Sequence, residues 1–264
     1  MKKISVAIVT FNEETNIEKC LKSVIDWVDE VIIVDGNSID KTVDIARKYT
    51  SKIIVTDNPE IFHINKMKAI NICKNDWILQ LDADEEVTDK LKEEILSKVG
   101  DPLRDNGGNS INGYWIPRKN YFLGKFLSKG GQYPDFTMRL YKKSKGSLPC
   151  KSVHEQALIE GKTGYLTYPI LHFPYPDFSH YLLHFNTYTD LFSKEIIKNN
   201  IRFNFINYCE YFIFKPIFWF ILLYFRHKGF QDGFPGFVFS IFSSLRYPVS
   251  YIKAWEKIYK QRTK

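Results

Sequence analysis

The chain predicts an α/β fold: a mostly parallel sheet flanked by helices, followed by an aromatic, basic, helical C-terminal region. Three observations carry this. Strand-like apolar runs alternate with helix-like spacings over about the first hundred residues. One of those runs, Trp77-Ile78-Leu79-Gln80-Leu81, ends abruptly in Asp82-Ala83-Asp84-Glu85-Glu86. The excess positive charge is gathered at the far end: of a net +7 over 264 residues, eight Lys and Arg stand against only Asp232 and Glu256 from Arg226 onward.

Ile4 to Val9 reads as a buried strand, and Ile17, Cys20, Leu21 and Val24 then recur at the spacing of a helix face. The opening apolar run is too short for a secretory signal, because Asn12, Glu13 and Glu14 follow it directly. Val31 to Val34 is a second strand ending in Asp35-Gly36-Asn37-Ser38, and Ile39, Val43 and Ala46 mark the next helix. Lys52 to Val55 is a third strand, and a helix around Ile64 to Cys73 leads to the strand ending at Asp82. Thr88 caps a helix carrying Leu91, Ile95 and Val99. After a polar loop over Asp101 to Asn112, Tyr114 to Leu123 and Phe136 to Lys142 read as strands.

Ligands of open α/β sheets bind beyond the carboxyl ends of the strands, so carboxylates placed there face a ligand. Asp82 and Asp84 offer hard oxygens for Mg²⁺ or Mn²⁺, ions that complete their shells with substrate phosphates. A calcium-binding EF-hand loop is disfavoured, since Val87 stands where that loop needs glycine. Neither GxGxxG nor GxxxxGK[ST] occurs, which disfavours dinucleotide enzymes and P-loop NTPases. A phosphoaspartate-type hydrolase is disfavoured by Glu86 and by the late position of the motif. Cys20, Cys73, Cys150 and Cys209 form no CxxC pair, which argues against a disulfide framework or a zinc site and fits a reducing compartment.

Val9-Thr10-Phe11-Asn12-Glu13, then Val34-Asp35-Gly36-Asn37-Ser38-Ile39-Asp40-Lys41-Thr42, then Leu81-Asp82-Ala83-Asp84-Glu85 together resemble family 2 glycosyltransferases of the GT-A, Rossmann-like fold. The resemblance implies a nucleotide-sugar donor, UDP-linked, and a divalent metal, Mn²⁺ or Mg²⁺. Thr10, Phe11, Asn12, Glu13 and Asp35 would surround base and ribose, with Lys66, Asp82 and Ala83 completing the donor set. Asp84 would be the direct metal ligand, with Asp82 near ribose and metal. GT-A enzymes commonly carry a glycine-containing loop near donor and acceptor, and Lys129-Gly130-Gly131-Gln132 is similar to it. An acid after that loop often serves as base and a later histidine often completes the metal shell; Glu155 in Ser152-Val153-His154-Glu155 and His172 match, with Asp135 the second choice of base. The expected transfer is inverting, which needs one such carboxylate to take the acceptor hydroxyl proton, and the lack of Gln-x-x-Arg-Trp implies one sugar per acceptor. Arg118 to Gly124, Tyr133-Pro134-Asp135 and Val153-His154-Glu155 are similar in order to the lipopolysaccharide-core glucosyltransferase branch.

Arg118, Lys119 and Arg139 are candidates for phosphate or anionic acceptor contacts, with solvated charge as their default. His180 and His184 stand one helical turn apart but lack a third ligand, so packing is the better reading. Phe203 to Phe225 is interrupted by Asn204, Asn207, Glu210, Lys215 and Pro216, which disfavours a full membrane crossing, and Phe234 to Leu245 is also too short. Tyr251, Ala254, Trp255, Ile258 and Tyr259 form an apolar stripe flanked by Lys253, Lys257 and Lys260. A basic, aromatic amphipathic helix suits an anionic bilayer surface better than nucleic acid. The expected organisation is a catalytic domain over 1–195, with its donor half at 1–100 and acceptor half at 101–195, and a membrane-associating tail over 196–264. The expected setting is peripheral, on the cytoplasmic side of a bacterial inner membrane, with a lipopolysaccharide or other lipid-linked glycan as acceptor. The alternatives are a soluble transferase whose tail forms a homodimer, and a non-catalytic nucleotide- or cation-binding module docked on a membrane.

Overall fold

The computed structural model describes residues 3–100, 111–151 and 155–262. Most of the predicted 101–112 loop and Ser152 to His154 lie outside the described residues. The chain forms two compact units, one of residues 1–119 with 135–173 and one of 120–134 with 174–264. The packing therefore divides at Phe173 and Pro174, ahead of the compositional boundary at 195.

In the first unit, β1 (Ile4–Thr10), α1 (Ile17–Lys22), β2 (Glu30–Asp35), α2 (Thr42–Ala46), β3 (Ile53–Val55), α3 (His63–Ile72) and β4 (Trp77–Asp82) alternate as the apolar pattern predicts. The strands lie in the order β3-β2-β1-β4, all parallel. Their continuous apolar sequences reflect burial on both faces. Val6, Ile8, Ile33, Leu79 and Leu81 point to one core layer with Leu21 of α1, while Ala7, Ile32, Val34 and Ile78 point to another with Ala69 and Ile70 of α3. Register sets Thr10 beside Asp35, and Val9 beside Asp82, so three strand tips end at one edge.

Next come β5 (Glu85–Val87), α4 (Asp89–Val99), β6 (Ile111–Phe122), β7 (Lys125–Phe126), β8 (Asp135–Lys142), β9 (Gly146–Ser147), β10 (Leu158–Ile159), β11 (Lys162–Tyr165) and β12 (Ile170–His172). Beyond β4 the sheet continues β8-β6-β12-β5: β8 pairs antiparallel with both β4 and β6, β12 pairs antiparallel with β5, and β11 pairs parallel with β6. The acids after Asp84 are not a solvated turn: Glu85 starts β5 and is fully buried. Thr88 caps α4 as expected, its Oγ1 accepting from the Leu91 N–H at 3.2 Å and donating to the Pro169 carbonyl at 3.3 Å. Thr88→Ala is expected to cost about 1 kcal/mol, read from urea denaturation midpoints; a change below about 0.3 kcal/mol shows that neither bond contributes.

The second unit is mainly helical: α5 (Phe178–Lys198), a helix over Phe205–Arg226 and a helix over Gly233–Arg262. The run that Pro216 was expected to interrupt is continuous. Looser i→i+5 turns at Glu210–Phe214 and Ile221–Arg226 flank Lys215–Phe220, which carries Pro216 in its first turn, and absorb the missing N–H. At 22 residues it is long and apolar enough to cross a membrane, and 11% of its most apolar stretch is buried. The C-terminal stripe also differs from expectation. Tyr251 and Ala254 are buried with Ile196 and Tyr211, whereas Trp255 and Tyr259 stack on each other and stay exposed. Lys253 and Lys257 both pair with Asp190 of α5, at 3.1 and 2.9 Å, and Lys260 pairs with Glu256. Lys253 and Lys257 thus tie this helix to α5, while the Lys260–Glu256 pair lies on the exposed surface.

Candidate active site

The first unit gathers its polar side chains where β1, β2 and β4 end. Asn12 takes a left-handed conformation (φ 56°) that turns the chain sharply after β1. Its N–H donates to Ser38 Oγ (2.8 Å) and its Oδ1 accepts from the Ile39 N–H (2.9 Å), which stitches this turn to the loop after β2. Asp35 is fully buried, and both its oxygens accept from Ser38, from the backbone N–H and the hydroxyl. It shapes the loop, and only its remaining lone pairs face any ligand. Thr10 is buried with its Oγ1 lacking a hydrogen-bond partner among the described residues, and Phe11 stands 43% exposed beside it.

Asp84 meets His172 because β12 pairs antiparallel with β5, setting His172 opposite Glu85, and because the Phe173 N–H donates to the Asp84 carbonyl. Asp84 Oδ2 and His172 Nε2 lie 3.2 Å apart. Burial pushes the Asp84 carboxyl up, but the adjacent His172 outweighs it and holds the group below the usual carboxylate range. Ala83, between the two aspartates, is buried in the core and offers no side-chain contact beyond packing.

Asp82 does not serve as a free oxygen donor. Lys66 Nζ sits 2.5 Å from its Oδ1, and Arg139 pairs with its Oδ2. Burial alone would raise this carboxyl; Arg139 and Lys66 hold it well below its ordinary value. Lys66 is itself buried, which lowers its pKa despite Asp82, and its ammonium lies over the Phe62 ring at 4.7 Å. Both Asp82 oxygens thus face cations of the protein, whereas Asp84 faces His172.

Arg139, expected to be solvated, is 5% exposed and also donates to Glu85 Oε1 at 2.6 Å. Glu85 Oε2 accepts from the Asp82 N–H, which clamps the strand end. Arg118 lies 3.7 Å from Glu85 and donates from Nε and Nη2 to Asp135 Oδ2. Asp135 is thereby paired with a guanidinium. Sequence reading gave no role to Glu85 and no carboxylate partner to Arg139; the available signal was a charge set between Met138 and Leu140, both buried.

Glu13 stands near these acids. Burial, followed by the charge of Asp84, pushes its carboxyl up to about 7, against a lowering bond from Asn16. Its folded value thus exceeds its unfolded one, so the folded state holds a proton that the unfolded chain releases, and stability falls as pH rises from about 4.5 to about 7. Glu13→Gln removes that loss and is expected to raise stability by about 1 to 2 kcal/mol at pH 8, after allowance for solvent screening, and by little at pH 5. Thermal melts at both pH values check this, and an equal gain at each contradicts it.

Glu155 accepts the Lys151 N–H at Oε1 (2.8 Å), while its Oε2 is buried without a partner. No bond among the described residues ties it to Asp84. His180 and His184 are ring neighbours (5.7 Å) on α5, and Tyr175 packs edge-on against His184, as the packing reading expects.

Asp84 and His172 fit a divalent ion: one hard oxygen and one imidazole nitrogen converge at a separation of the order found between neighbouring ligands of an ion with bonds of about 2.1 Å. Two protein ligands leave room for phosphate oxygens, which such ions prefer.

Comparison with known proteins follows the same lines. The profile for glycosyl transferase family 2 matches residues 5–159. An uncharacterised glycosyltransferase of Rickettsia typhi is 30% identical over 251 residues, covering 91% of this chain and 82% of the relative. The lipopolysaccharide core biosynthesis glycosyltransferase LpsC of Rhizobium meliloti is 28% identical, over 89% of this chain and 85% of its own. Among solved structures, S. aureus TarS 1-349 in complex with UDP-GlcNAc is 15% identical, with 90% of this chain and 79% of that one covered and a TM-score of 0.49. The match over more than half of the chain, and a relative at 30% identity along nearly all of it, place this protein in glycosyl transferase family 2, and it is a glycosyltransferase.

Proposed function

We propose that this enzyme is an inverting, metal-dependent, non-processive transferase that moves one sugar from a UDP-linked donor to a lipopolysaccharide-core or other lipid-linked glycan. The observation that carries the reading is the Asp84–His172 pair at 3.2 Å, set at the ends of the parallel strands beside the turn that begins at Thr10. Thr10 Oγ1, buried and unpartnered, supplies a hydrogen bond to the donor, and the exposed Phe11 ring offers a face on which a base stacks. Asp84 and His172 hold the ion. When bound, it neutralises the charge that develops on the departing diphosphate. Lys66 and Arg139 keep Asp82 ionised and fixed. Glu155 takes the proton of the acceptor hydroxyl on Oε2, the oxygen that has no hydrogen-bond partner among the described residues.

The acceptor class is supported by similarity to LpsC, whose name assigns that relative to lipopolysaccharide core biosynthesis. A cytoplasmic-face membrane setting is supported by Phe205–Arg226, an apolar helix that the protein leaves largely uncovered. Co-flotation with anionic liposomes at raised salt tests this, and a protein that stays at the bottom of the gradient contradicts it. For the chemistry, Glu155→Gln is expected to lower kcat by about 10²- to 10⁴-fold while leaving UDP and Mn²⁺ binding unchanged. Unaltered turnover of E155Q removes Glu155 as the base.

A further inference from the structure

The helical unit contains a cavity of about 200 Å³ lined by Phe192, Ile196, Ile201, Tyr211, Arg246 and Tyr247, with Glu195, Asn199 and Ser250 at its edges. Its walls are mainly apolar, and one cation faces them. The Arg246 guanidinium is ringed by Phe192, Trp219 and Tyr247, at 5.4, 4.9 and 4.9 Å from their ring centroids. Nη2 donates to the Tyr247 hydroxyl at 2.9 Å, while Nε is buried with no hydrogen-bond partner.

What distinguishes Arg246 is the lack of a counter-ion. Among the described residues, the other half-buried cations of this unit each have a carboxylate: Lys215 has Glu210, and Lys253 and Lys257 share Asp190. Glu195 is the nearest candidate by its place at the cavity, yet it is exposed and makes no ion pair with Arg246. A partly desolvated guanidinium with an unmade bond is costly unless an anion completes it. Aromatic faces stabilise the positive charge but accept none of its hydrogen bonds.

We propose that this cavity is a binding site for a phosphate group, with Arg246 as its anchor. A planar fork of donors suits phosphate oxygens, which two of its N–H groups can reach together. The volume lies below the roughly 300 Å³ at which drug-sized sites begin, so it admits a phosphate with a few carbons and leaves the rest of a larger ligand outside. The apolar walls favour a phosphate carried on a hydrocarbon chain over the free ion. This site lies wholly within the helical unit and does not depend on the transfer chemistry or on membrane attachment.

Isothermal titration calorimetry on the full chain tests it with three probes: dihexanoyl phosphatidic acid below its micelle concentration, inorganic phosphate, and dihexanoylglycerol. The expected result is saturable binding of the phosphatidic acid, weaker binding of inorganic phosphate and none of the phosphate-free lipid. Arg246→Gln is expected to weaken the phosphatidic acid about tenfold or more. Asn199→Trp, on the exposed rim, leaves the guanidinium in place and is expected to block entry, so it serves if R246Q fails to fold. Equal binding of inorganic phosphate and the lipid keeps the phosphate site and assigns it to the free ion. Unchanged binding by R246Q and N199W, equal binding of dihexanoylglycerol, or no saturable binding of either phosphate probe overturns the proposal.

Discussion

Replacing Asp84 by asparagine is expected to abolish the stabilisation that Mn²⁺ and UDP together give the wild-type enzyme, and to lower kcat by about 10²- to 10³-fold. The argument rests on what remains once Asp82 is accounted for. Both Asp82 oxygens are held by Lys66 and Arg139, so the hard donor left beside His172 is Asp84. An amide keeps the shape of the carboxylate but loses its charge, which is most of what a divalent cation seeks there. Wild-type protein with Mn²⁺ and UDP at about a hundred times their dissociation constants gains roughly 2.7 kcal/mol, a melting shift of several degrees. D84N is expected to show the small shift that UDP gives alone. His172→Asn removes the neutral ligand only and is expected to weaken Mn²⁺ about tenfold, as losses around metal ligands typically do. A D84N protein that still melts later with Mn²⁺ and UDP takes the metal site away from this pair. Because melting is read apart from turnover, that outcome is separable from loss of the base at Glu155.

The parts of this site that sequence could reveal are those built on the parallel half of the sheet. Val6 to Ile8, Val31 to Val34 and Leu79 to Leu81 are buried on both faces, so each reads as an unbroken apolar run whose polar end is conspicuous. Thr88 announced its helix because a cap needs only local geometry. The other half depends on pairings between short, distant segments. Glu85–Val87 and Ile170–His172 are three residues each, too short to show a period, yet their register delivers His172 to Asp84. Arg139 reads from sequence as a candidate phosphate contact with solvated charge as its default; the placement of β8 against β4 brings it to Asp82 and Glu85. In the second unit, the residues that interrupt the apolar run from Phe203 to Phe225 do not interrupt the helix, which looser turns carry past Pro216, and Lys253, Lys257 and Lys260 pair with Asp190 and Glu256. Local pattern cannot see a partner on another helix.

Arg139→Met is expected to destabilise the protein by about 3 to 5 kcal/mol, because it removes one member of a buried ion network and leaves the others in place. Arg139 and Glu85 are 5% and 0% exposed, so water cannot replace the lost bonds. Asp82 retains Lys66, but Glu85 keeps only Arg118 at 3.7 Å and the Asp82 N–H. The melting temperature is expected to fall by roughly 10 °C or more. The pH dependence has a definite sign. The Asp82 carboxyl is depressed in the fold, so the stability it carries is present above the ordinary value of 3.8 and is lost as pH falls through the depressed one. The gap between R139M and wild type is therefore expected to hold from pH 5 to 8 and to close only in stronger acid, about pH 3 and below. Arg139→Lys keeps the charge but not the fork that reaches two carboxylates together, and it is expected to recover about half of the loss. Adding Glu85→Gln to R139M removes the stranded charge and is expected to regain at least about 1 kcal/mol, whereas in wild type the same change costs stability. That reversal of sign is the decisive measurement, since a residue that merely fills space gives E85Q the same effect in both backgrounds.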